Sequence, residues 1–153
     1  MKRFVVLILT VCFIAVFLLS CAREQRSAEE VLSSLMADNQ GLPAGEIYQK
    51  NAKEGENAYF SQSLCESMYG SRAAELLTVT EDFAIYMSSA AAPYEIAVFK
   101  CYSSTDAEKI AAVCMSRAED LRVLLSKTEW RELCDSAKIK VDGRIVVMTV
   151  TGN

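Results

Sequence analysis

Apolar and polar residues divide the chain into unlike stretches. Phe4 to Leu19 is almost wholly apolar, with Thr10 as its polar interruption. Beyond it the apolar positions become periodic. Val31, Leu32, Leu35 and Met36 recur at three and four residues, which predicts a helix, and Ser27 with Glu30 forms the capping box that would start it. "DNQGLPAGE" punctuates the chain as a loop, and the stretch from Glu46 to Glu56 is polar and weakly patterned. Leu64, Cys65 and Met68 share a face of a short helix that Gly70 would end.

The pattern then changes period. Phe83, Ile85 and Met87 alternate within Thr78 to Ser88, as a half-buried strand does. Tyr94 to Tyr102, "YEIAVFKCY", is a nearly continuous apolar run, which predicts a strand covered on both faces, with Ile96, Val98 and Lys100 pointing one way. "SSTDAEKIAAVCMSRAEDLRVLLSK" returns to helical spacing. Ala107, Ile110, Ala111, Cys114, Ala118, Leu121 and Leu125 lie on one stripe, and Thr105 with Glu108 reads as its capping box. Trp130 and Leu133 belong to a shorter helical segment. "KIKVDGRIVVMTV" closes the chain as a hairpin in which Asp142-Gly143 supplies the tight turn.

Strands in two hairpin-like pairs, separated by a long helix, predict an α+β fold. The expected sheet is small and antiparallel, of about four strands, with the long helix packed on one face and shorter N-terminal helices beside it. At 153 residues the chain has length for one domain, expected over residues 27–153.

The apolar run follows a basic start, Lys2-Arg3, and is a little short for a span of roughly 20 residues. Basic start, apolar run and small residues in this order are those of an export signal, here residues 1–20. The run closes on Leu18-Leu19-Ser20-Cys21, which resembles a bacterial lipobox. The resemblance implies that Cys21 takes a diacylglyceryl group on its sulfur and becomes the first mature residue, with 21–26 as a tether. Each buried methylene contributes about 0.8 kcal/mol, so two acyl chains anchor stably where one is marginal. Cys12 would leave with the signal.

Composition changes this picture in two ways. The 52% hydrophobic share is inflated by the signal; without residues 1–20, which contain Lys2 and Arg3 and no acid, 14 basic and 20 acidic side chains remain, a formal balance of −6. An acidic chain without a Lys/Arg cluster is a poor ligand for nucleic acid. Histidine is absent altogether. That removes Ser-His-Asp and Cys-His nucleophiles and imidazole metal ligands, and leaves carboxylate, Lys, Tyr or Cys chemistry.

From Leu64 to Val150 the chain resembles the bacterial lipoproteins of the domain of unknown function 4358 family. Glu95-Ile96-Ala97, the capped long helix and its Arg117 carry the likeness, while Trp130 stands where the family would have Tyr or Phe. The resemblance implies location and fold and brings no reaction with it.

Arg117 falls at or near the apolar stripe, so it must be paired or reach water. Glu95 is the expected partner, with Asp82 as the alternative. Either the pair is internal, or Arg117 holds an anionic ligand. Cys65, Cys101, Cys114 and Cys134 remain in the mature domain; an exported location permits disulfides, four cysteines allow three pairings, and Cys114 on the stripe reads as a buried free thiol. No Cys-x-x-Cys spacing suggests zinc. Tyr59, Phe60, Tyr69, Phe83, Tyr86, Tyr94, Phe99 and Tyr102 are either core or the lining of a ligand groove. Glu81-Asp82 and Glu119-Asp120 read as solvated. The expectation is a lipoprotein on the outer face of the cytoplasmic membrane, held by Cys21. It would act as a binding or interaction module without cofactor or metal, with an envelope protein as the candidate partner. An anion-binding site at Arg117 and an enzyme using carboxylate or Cys chemistry are the alternatives.

Overall fold

A computed structural model describes residues 26–152. The expectations for residues 1–20 and for Cys21 lie outside these residues.

The first helix, α1 (Ala28–Asp38), starts where the capping box places it. Ser27 Oγ accepts from Glu30 N, and Glu30 Oε2 accepts from Ser27 N. Strand β1 (Gly45–Gln49) follows, then α2 (Gln62–Tyr69), capped by Ser61 and ended at Gly70, and the short α3 (Ala73–Leu77). Strands β2 (Thr80–Ser88) and β3 (Glu95–Cys101) lead into the long helix α4 (Ser104–Leu124). The chain ends in α5 (Arg131–Asp135), β4 (Lys138–Asp142) and β5 (Ile145–Val150).

All five strands form one antiparallel sheet in the order β1-β2-β3-β5-β4. The two predicted hairpins are joined because β3 pairs with β5 along Glu95↔Val150 to Lys100↔Ile145. The α+β class is as expected, but the described residues hold five strands. Strand β1 is the addition, and it is an edge strand whose Glu46 and Ile47 face solvent, so no alternation marks it. Its position is set by contact instead: a Cβ on Gly45 would lie 2.3 Å from Met87 O and 2.5 Å from Tyr86 Cε2, so glycine alone lets the edge approach β2.

Helices cover the sheet on both faces, which gives three layers. On one face α1 packs Ala28 and Leu32 against Ala84, Tyr86, Ile96 and Val98. On the other, α2, α3 and α4 pack Cys65, Met68, Ala73, Leu77, Ile110 and Cys114 against Phe83, Ile85, Ala97, Phe99 and Met148. Every β3 side chain but Lys100 is buried, the consequence expected from its unbroken apolar run. The predicted stripe of α4 is the buried one from Ala107 to Leu121.

Two local details differ from the sequence reading. Helix α4 is capped by Ser103 and not by Thr105: Ser103 Oγ accepts from Asp106 N and donates to Asp106 Oδ2 at 2.7 Å, a double contact that exposed Thr105 does not make. The β4–β5 turn is Gly143-Arg144, since Asp142 already pairs with Ile145. Gly143 carries the positive φ, 60°, in the first turn position, the place a II′ hairpin reserves for glycine.

Candidate functional site

Glu95 is the first residue of β3, and its even spacing with Ala97 and Phe99 turns it toward the α2–α4 layer. Helix α4 runs back along the sheet and brings Arg117 over it. Arg117 Nε and Nη2 both donate to Glu95 Oε2, at 3.2 and 3.0 Å. From α2, Tyr69 Oη donates to Glu95 Oε1 at 2.8 Å. Three elements are thereby tied through one carboxylate whose side chain is 3% exposed, against 15% for Arg117. Both guanidinium contacts fall on one oxygen, so this is not the side-on fork in which each oxygen takes its own N–H; Tyr69 fills the second place.

Of the two partners expected for Arg117, Glu95 is therefore the one the fold supplies. Asp82 points to the opposite face, where its Oδ2 accepts from Ala28 N at 2.8 Å and so pins the start of α1. It is half-buried and structural, in contrast to the solvated reading of Glu81-Asp82. Its neighbour Glu81 is the extra residue of a bulge between Thr80 and Asp82, and pairs with Lys100 and Arg144, both at 3.1 Å. Glu119 and Asp120 are exposed as expected.

The surroundings of Glu95 keep its neighbours protonated. Burial, and then the Glu95 carboxylate, hold the Tyr69 phenol well above its ordinary range. Cys114, one turn before Arg117, is raised by the same two causes in the same order. The four cysteines among the described residues are all buried free thiols. Burial pushes Cys65 and Cys101 up to about 11, with Glu66 and Asp106 as the respective second causes. Such thiols are poor nucleophiles near neutral pH, because the thiolate is the reactive form. Among the described residues no three His, Cys, Asp or Glu side chains are grouped to hold a metal ion.

The aromatic residues divide between core and groove. Tyr48, Phe60, Phe83, Phe99 and Tyr69 form a run of tilted and edge-on rings with centroids 5.5 to 6.4 Å apart, the geometry their quadrupoles prefer. Phe60 and Phe83 of this run line an open groove of about 340 Å³ with Tyr59, Lys50, Gln62, Cys65 and Leu77. Lys50 Nζ is engaged within it, donating to Thr80 O and lying 5.6 Å from the Tyr102 ring. Tyr86 and Tyr94 belong to the α1 face instead. Sequence spacing could not separate the groove residues from the core ones, since Lys50 arrives there through the unpredicted strand β1.

Comparison with family models, with curated proteins and with solved structures finds no match.

Proposed function

We propose that the chain is an exported lipoprotein, held at the outer face of the cytoplasmic membrane by lipid on Cys21, whose domain works by binding or contact and not by catalysis. The observation that carries this reading is Leu18-Leu19-Ser20-Cys21 at the end of a basic-then-apolar start. No helix among the described residues is long and apolar enough to cross a membrane, so attachment in this reading rests on residues 1–21. The likeness to the domain of unknown function 4358 lipoproteins points the same way.

The contact role is supported by how the reactive groups are spent. Both oxygens of Glu95 hold protein donors, and Arg117 has Glu95 where the carboxylate of a ligand would sit. The thiols are buried and protonated, and the chain has no histidine. Nothing favours the anion-binding alternative over an internal clamp.

A Cys21→Ala variant tests the reading in cells fed labelled palmitate. The native chain should carry label and sediment with membranes, while the variant should lose the label and persist as the unprocessed precursor. Equal labelling of both would contradict it.

A further inference from the structure

The strands being antiparallel, the sheet has two distinct ends. At the Lys100 end β1, β3 and β4 finish, β2 and β5 begin, and both α1 and α4 start; at the Glu95 end α4 finishes. Helix α4, with 21 residues at about 1.5 Å each, separates the two by roughly 30 Å. The domain's connection to Cys21 leaves from the Lys100 end, because Ala28 N is bonded to Asp82, which pairs with Lys100. Five residues separate Cys21 from Ser27, and the six steps between them, at no more than about 3.6 Å each, reach roughly 20 Å, less than the length of α4.

We infer that the Lys100 end is the face the domain rests on the bilayer, with Tyr102 at headgroup level and the Glu95 end turned outward. This rests on the anchoring reading above and adds an orientation to it. Two features select the face. Tyr102, 58% exposed, is the most exposed aromatic among the described residues, and tyrosine favours the membrane–water interface, where its ring is half wet and half apolar. Lys50 lies 5.6 Å from that ring, a cation at the level of lipid phosphates. Of the acids at this end, Glu81 is held by Lys100 and Arg144, Asp106 by Lys109 and Ser103, and Asp82 by the Ala28 N–H, while Glu29, Glu108 and Asp142 lie exposed beside them. At the far end, Val123 and Leu124 are 64% and 72% exposed and are left facing away from lipid.

Depth-dependent fluorescence quenching tests the orientation. The lipidated full-length mature protein is reconstituted in phosphatidylcholine–phosphatidylglycerol vesicles containing phospholipid brominated near the headgroup. Native Trp130, packed with Leu121, Leu133 and Val150 at the Glu95 end, reports one side; a Tyr102→Trp/Trp130→Phe variant reports the other. Where Trp130→Phe disturbs the fold, Tyr102→Trp alone serves, read as the quenching it adds to the native signal. The indole introduced at residue 102 should be quenched several-fold more strongly than Trp130. Stronger quenching of Trp130, or no quenching of either in protein whose mass shows the lipid, overturns the orientation and leaves the anchor standing. An N-terminal peptide without lipid overturns the anchor, and the orientation with it.

Discussion

Strand β3 carries an ion cluster at each end, and the two differ in nearly everything except charge. At its start Glu95 is enclosed with Arg117 and Tyr69, the carboxylate 3% exposed. Near its end Lys100 meets Glu81, which is 38% exposed and shared with Arg144, 33% exposed. The inner cluster joins α2, β3 and α4, elements distant in sequence, and a lost partner there strands a charge where water cannot reach it. The outer cluster closes a bulge beside a turn; Lys100 is itself 13% exposed, but Glu81 and Arg144 stand in water, which replaces the acid when it is removed. The lesson is that the same pairing holds a fold together in one place and tunes a surface in another, with solvent access deciding which.

The largest effect should come from breaking the inner cluster on one side. Arg117→Met or Glu95→Ala is expected to destabilise by about 3–5 kcal/mol, read from the urea midpoint, whereas the double substitution Glu95→Leu/Arg117→Met should recover most of the loss because no buried charge remains. Additive losses would mean that the two residues do not act as a unit. Tyr69→Phe, which leaves Glu95 Oε1 without its donor, should follow at about 1–3 kcal/mol.

Alkaline pH probes the thiols around β3. Cys65 and Cys101 are raised to about 11 by burial, so in the fold they keep protons that the unfolded chain has lost. Their contribution is therefore full below the ordinary thiol value of about 8.5, and stability should decline as pH rises from there toward 11. Unreduced protein should yield four alkylatable thiols from the described domain when unfolded and essentially none while folded at pH 8; a protected pair after unfolding would reveal a disulfide.

The outer cluster should give the smallest response. Glu81→Gln is expected to change stability by no more than about 1 kcal/mol. The contact with Lys100 first, and Arg144 after it, holds the Glu81 carboxyl below its ordinary value. Its small contribution is thus present above the unfolded value of about 4.3 and lost as pH falls through the lower folded one. In a carbon-detected titration, Lys100→Met or molar salt should move that midpoint upward; an unmoved midpoint would break the assignment.

The inner cluster was partly legible in the sequence because a charge on an apolar stripe demands an explanation, and Arg117 interrupts such a stripe. Choosing Glu95 over Asp82 needed only the strand's parity, which places Glu95 on the α4 side and Asp82 on the other. Tyr69 was not separable from seven other aromatic candidates, since nothing in α2 shows which turn will meet β3. Strand β1 was hidden for a different reason: an exposed edge strand has no buried face to impose alternation, and Gly45 reads as a loop residue until its 2.3 Å approach to Met87 is seen. The cap of α4 was misplaced by two residues because Ser103 and Thr105 both carry a capping hydroxyl, and the contact to Asp106 decides between them.

The functional account turns on Cys21, and one measurement reaches it directly: the mass of the N-terminal peptide of the mature protein extracted from membranes. The expected peptide begins at Cys21 and carries a diacylglyceryl group. An unmodified Cys21 still joined to an intact Phe4–Leu19 segment would contradict the account.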